Sequence, residues 1–162
     1  MIANNEMQLS CICNQKGMII ASFAIAKIDS ELKIVIAKDL IKIFIEDLLP
    51  FAKFFNILFK ENNKSVKASI SENNNDIESF LNNDFCSLSL SISNEKEHID
   101  KLITKDDWAV ANKILGNYDL SYEDVDKYRP LELNYDQLRV SFTKGCFRGQ
   151  EIVARMKYLG VN

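Results

Sequence analysis

Cys146 sits between Lys144-Gly145 and Phe147-Arg148-Gly149, just ahead of a helix-prone run from Gln150 to Tyr158. Gly145 and Gly149 bracket the cysteine and permit backbone angles that other residues resist. Ile152, Val153 and Met156 form an apolar stripe, so the run reads as a helix with Cys146 near its start. Lys144 and Arg148 stand two residues away on either side. The positive end of a helix dipole and neighbouring cations both favour thiolate over thiol. A thiolate can serve as nucleophile, as metal or cluster ligand, or as redox sensor. An inert Gly-Cys corner would use the same residues, and the local sequence leaves both readings open.

The other chemistry-bearing residues are sparse. Cys11, Cys13 and Cys86 complete the cysteines, and none of the four forms the C-x-x-C pair of a zinc site or a thioredoxin-like motif. No metal site is expected. Cys11 and Cys13 are two apart, so in a strand they share one face. They read as small buried residues, reduced in a reducing compartment. His98 is the only histidine, in a polar stretch that reads as a solvated helix start. The acidic run Tyr122 to Asp126 lacks the ligand spacing and central Gly of an EF-hand and reads as a solvated turn. Neither a P-loop nor a dinucleotide fingerprint is present.

These residues must be positioned by strands and a few helices. Gln8 to Asn14 and Met18 to Lys27 flank Gln15-Lys16-Gly17, which predicts a hairpin. Leu32 to Ala37 reads as a third strand, and Asp39 offers an N-cap for a helix through Leu49, with Pro50 placed to end or kink it. Phe51, Phe54, Phe55 and Phe59 read as core, the last part returning as a strand. Asn-rich turns at 61–64 and 71–76 separate strands at Val66 to Ile70 and Cys86 to Ile92, with a short helix around Ile77 to Leu81. Asp106 can cap a helix carrying Trp108, Ala111 and Leu115, with Gly116 at its C-terminus. Leu138, Val140 and Phe142 alternate as a last strand leading into Lys144-Gly145-Cys146. Strands interleaved with helices without βαβ regularity predict an α+β fold.

The 162 residues suffice for one compact domain, and 47% apolar with 27% charged is a globular composition. The net charge of −3 carries no basic excess, which argues against direct nucleic-acid binding. The most apolar stretch, Leu40 to Phe59, is broken by Lys42, Glu46, Asp47, Pro50 and Lys53, too polar for a bilayer-spanning helix. With no secretory leader evident, a soluble cytoplasmic protein without a membrane partner is expected.

The segment Lys144-Gly145-Cys146-Phe147-x-Gly149-Gln150-Glu151, with Arg155 four residues on, resembles the K-G-C-[Y/F]-x-G-Q-E-x-x-x-R signature of the YgfZ family. Pro130 and Asn134 are similar to the family's P-x-x-x-N element, Gly116 to its glycine at the end of the preceding helix, and Asn14-Gln15-Lys16-Gly17 to its D-x-K-G hairpin. The resemblance runs from about residue 8 to the end, loosely in the middle. It implies the folate-binding domain of the glycine-cleavage T-protein-like fold, in partial form. It further implies tetrahydrofolate as ligand and a role in assembling or repairing iron–sulfur enzymes, including tRNA-thiolating ones.

By position, the resemblance makes Cys146 the key thiol and Lys144 its neighbouring cation. Asn14, Lys16, Gly145, Phe147, Gly149, Gln150, Glu151 and Arg155 would shape the folate site. A maintenance factor is implied more than a turnover enzyme, with iron–sulfur client enzymes as partners. A tetrahydrofolate-dependent aminomethyltransferase is the enzymatic alternative, and the Cys in the signature argues against it. A non-catalytic, partner-binding remnant is the third reading. Asn14 stands where the hairpin usually has Asp; a polar contact can survive there, but the charge cannot. The family's N-terminal G-Q-x-T-x-D-like element and its C-terminal β-barrel have no counterpart in these residues. The expectation is the central part of a longer protein, or a chain completed by a second one.

Overall fold

The computed structural model describes residues 7–28, 30–62, 65–72, 81–93 and 103–160. In chain order they form β1 (Met7–Cys13), β2 (Ile19–Ile28), β3 (Glu31–Ile36), α1 (Ile41–Phe54), β4 (Ser65–Glu72), β5 (Leu81–Asn82), β6 (Cys86–Ser93), α2 (Lys105–Ile114), α3 (Tyr135–Leu138) and α4 (Gln150–Leu159). Helices and strands are mixed, with two small antiparallel sheets ordered β1-β2-β3 and β4-β6-β5. Length argues for one domain; the chain divides into two compact units, Met1–Phe59 with Leu120–Asn162, and Lys60–Asp119.

In the first unit β2 is the central strand, and Ile19 through Ala24 are buried without alternation because both faces are covered. Phe44 of α1 meets Phe23 edge-on at 5.1 Å between ring centres and Phe59 at 6.1 Å. Leu40, Leu120 and Tyr135 close this core. Asp39 does not cap α1. A 3-10 turn at Lys38–Leu40 precedes the helix, and the Asp39 carboxylate accepts the Tyr122 N–H at 3.0 Å. The helix also runs past Pro50 to Phe54. Pro50 and Glu46 are both exposed, so the carbonyl that the proline leaves unbonded can meet water. The stretch after Phe54 does not return as a strand, and Phe51, Phe54 and Phe55 are exposed, not core, whereas Phe59 packs against the core.

The strand expected at Leu138 to Phe142 does not form. Tyr135–Leu138 is a helical turn, and the N–H groups of Arg139 and Val140 both return to the Tyr135 carbonyl. Arg139 is 3% exposed, and its guanidinium donates to the carbonyls of Ser10 (3.2 Å) and Phe23 (3.1 Å), which are register partners on β1 and β2. A cation drawn into the first sheet's backbone bends this segment out of any ladder, whatever the alternation of its apolar neighbours.

The second unit sets β4, β6 and β5 in an antiparallel sheet, with Ala68 opposite Leu90 and Ile70 opposite Leu88, and α2 packs against β6. Thr104, not Asp106, caps α2: its hydroxyl accepts the Asp107 N–H, and the Asp107 carboxylate accepts the Thr104 N–H. Gly116 follows the helix at φ +69°, as its position predicts. Trp108 is half-buried and its ring N–H donates to Asp119 at 3.1 Å. Within the helix expected around 77–81, Leu81 lies in β5 and the others lie outside the described residues, as do 63–64, 73–76 and His98; Ser71 continues β4. Among the described residues no helix is long and apolar enough to cross a membrane.

Candidate functional site

The two motifs meet through their backbones. In the β1–β2 hairpin the Asn14 side-chain oxygen accepts the N–H groups of Lys16 (2.8 Å) and Met18 (3.0 Å), a local turn bond of the kind Asx side chains favour. Gly17 follows at φ +73° and packs on Ile152 and Val153 of α4. Gly149, at φ +79°, begins α4 directly against this turn: a Cβ there would lie 2.5 Å from the Asn14 carbonyl oxygen and 2.9 Å from the Gly17 Cα. The Gln150 side chain then accepts the Phe147 N–H at 3.1 Å, tying the signature turn to the helix that follows it. Pairing a Gly in the hairpin with one in the signature is therefore a close-approach requirement between segments over a hundred residues apart.

Asn14 does a second job. Its amide N–H donates to the carboxylate of Asp126, whose own backbone N–H bonds the Ile19 carbonyl at 3.0 Å. An aspartate at 14 could still close the turn but would set two carboxylates against each other. Asn14→Asp is expected to cost about 1 kcal/mol at pH 7 in urea denaturation. The like charge raises the carboxyl pair in the folded state, so the folded variant takes up protons before the unfolded chain does. The deficit should therefore shrink as pH falls below about 5. A deficit independent of pH would contradict this account.

Beside the hairpin, β1, α1 and the signature turn enclose a cleft of about 330 Å³, walled by Cys11, Ile12, Leu48, Phe51, Phe147 and Lys144 among others. Arg148 fixes its geometry. Its Nε–H donates to the Cys13 carbonyl at 2.6 Å, its terminal nitrogen pairs with the Asp47 carboxylate of α1, and its guanidinium lies 5.8 Å from the Phe51 ring centre. The Lys144 ammonium lies 5.1 Å over the Phe147 ring. Lys144 and Phe147 thus line the cleft together with Arg148, whereas Cys146 is exposed and is not part of the lining. Gly145 is exposed, Lys16 points into solvent from the hairpin, and Glu151 and Arg155 form an exposed ion pair along α4 at 2.8 Å.

Two cysteines also line the cleft, Cys11 and Cys13. The Cys11 thiol is held below its ordinary value, foremost by a hydrogen bond from Cys13; burial opposes this, and Arg139 and Lys144 add to the lowering. The Cys13 thiol is pushed up, by the hydrogen bond it gives to Cys11, by burial, and by the Cys11 charge. Reading the chain for turns and signatures passes over this pair. The signal available was the i, i+2 spacing, which says that the two share a face but not that the face borders a cleft. Asp47 and Phe51 carried no signal, because their relation to residue 148 is purely tertiary. No group of three or more metal-ligating side chains occurs among the described residues.

No family model matches the chain. An uncharacterised protein of Haemophilus influenzae is 28% identical over 169 aligned residues, taking in 99% of this chain and 59% of the relative. Two proteins named tRNA-modifying protein YgfZ match shorter stretches. That of Colwellia psychrerythraea is 58% identical over 36 residues, 22% of this chain and 11% of its own length. That of Edwardsiella ictaluri is 53% identical over 38 residues, 23% of this chain and 12% of its own length. The chain therefore spans less than two thirds of the length of the curated relatives it matches. Over those short stretches the similarity supports a YgfZ-like relationship.

Proposed function

We propose that this chain is the folate-binding portion of a YgfZ-like factor that supports iron–sulfur enzymes, tRNA-modifying ones included. The observation that carries the reading is that Lys144, Phe147 and Arg148 of the signature wall one cleft with β1 and α1. Its volume falls at the low end of ligand pockets, roughly 300 Å³ upward, enough for the bicyclic head of tetrahydrofolate. Phe51 and Phe147 offer aromatic surface for that ring, and Lys144 offers a cation for the anionic tail. On this reading the fold is the T-protein-like folate domain, and Cys146, exposed beside the cleft, addresses the client and not the folate.

Calorimetric titration with tetrahydrofolate tests this. The wild-type chain is expected to bind, and Phe147→Ala to bind about tenfold more weakly, the equivalent of about 1.4 kcal/mol of lost contact. Cys146→Ala should bind folate like the wild type yet fail to restore tRNA thiolation in cells lacking a YgfZ protein. Absence of any heat with the wild-type chain overturns the proposal for this chain alone.

A further inference from the structure

Besides the signature thiol, the cleft carries a cysteine pair on its strand wall. Cys11 and Cys13 are both free and both line it. The β1–β2 register shifts between Ile12 and Cys13, and four successive residues of β1, Ser10 to Cys13, line the cleft. Cys13 is 5% exposed while Cys11 is half-buried, so Cys11 is the more accessible of the two. The charged and titratable groups around it are Cys13 on its own strand, Lys144 and Arg148 of the signature turn, which line the same cleft, and Arg139, whose guanidinium bonds the carbonyl of the preceding Ser10; Asp47 of α1 stands behind Arg148 as its partner. Arg148 and Asp47 pair with each other, which leaves the balance around Cys11 positive.

We infer that Cys11, with Cys13 as its positioning partner, is a modification site of the cleft that takes an anionic low-molecular-weight disulfide and becomes a mixed disulfide. The Cys11 thiolate attacks one sulfur of R–S–S–R. A Cys11–S–S–R bond forms as the original S–S bond breaks, and the departing RS⁻ keeps the bonding pair and takes a proton from water. Cys11 is oxidised and the disulfide is reduced to one thiol, so no further oxidant is needed. The Cys13 S–H steadies the attacking sulfur. Once the adduct forms, the Cys11 charge and the hydrogen bond to it no longer raise Cys13, but burial still does, and this slows its displacement of R and the collapse to a Cys11–Cys13 bridge. Lys144 favours an anionic R group. None of this depends on folate binding.

The experiment is exposure of the full chain to oxidised glutathione at pH 6, with peptide mapping over time. The expected result is an adduct on Cys11 with Cys13 and Cys86 unmodified. Cys13→Ala should slow the adduct about tenfold as the thiolate is lost, and Cys13→Ser, which keeps a donor, should recover most of the rate. Lys144→Gln should slow reaction with oxidised glutathione but not with neutral hydroxyethyl disulfide. An unmodified Cys11 beside a modified Cys146 overturns the inference. So does equal modification of Cys11 and Cys13, which signals reaction through unfolding, or a Cys13→Ala protein that reacts at the wild-type rate.

Discussion

Gly149→Ala is expected to destabilise the first unit by on the order of 3 kcal/mol, while Gly145→Ala stays within about 0.5 kcal/mol of the wild type. Both glycines belong to the same signature, so the contrast isolates geometry from motif. At Gly149 the added methyl meets two penalties. The backbone angle of +79° disfavours any L side chain, and the Cβ would lie 2.5 Å from the Asn14 carbonyl oxygen, a backbone atom that cannot rotate away. The hairpin and α4 would have to separate, which also loosens the packing of Gly17 on Val153. At Gly145 a Cβ would have nothing within 4 Å. Urea denaturation of the two variants checks the difference; equal midpoints would mean that the hairpin and the helix start do not depend on this contact.

Arg139→Ala should cost about 4 kcal/mol, the sum of a buried side chain removed and charge-assisted bonds to two carbonyls lost. Arg139 lies 4.8 Å over the Tyr135 ring, itself fully buried, and holds the Ser10 and Phe23 carbonyls on paired strands. Arg139→Lys should recover only part of this, because a single ammonium does not reproduce the planar fork. A second readout follows from the same charge. Arg139 helps to hold the Cys11 thiol low, so in either folded variant that retains less of its field, Cys11 alkylation at pH 6 should slow. If Arg139→Ala unfolds at the wild-type midpoint, the guanidinium is not the brace described here.

Turn chemistry and short-range spacing were legible from the sequence alone. Gly17 and Gly149 mark the hairpin and the start of α4, and the stripe of Ile152, Val153 and Met156 gives that helix its buried side, Val153 and Met156. The strands β1 to β3 follow from apolar-rich runs bounded by polar turns, with β-branched residues concentrated in β2 and β3. These features are local, because backbone angles and side-chain periodicity depend on residues a few positions apart.

What only the tertiary structure decided is where each face points. Leu138, Val140 and Phe142 alternate as a strand would, yet Arg139 between them is drawn into the backbone of β1 and β2, and no ladder forms. Cys146 has the neighbours of an activated thiol in sequence. In space Arg148 is committed to Asp47, Lys144 covers Phe147, and the cysteine itself faces solvent. Cys11 and Cys13, bland in sequence, border the cleft because α1 and the signature turn close over their strand. Asp47 and Arg148 meet across 101 residues of chain. Periodicity reports that a side chain is to be buried; only the packing of distant segments settles what it is buried against, and that is where the chemistry of this cleft is set.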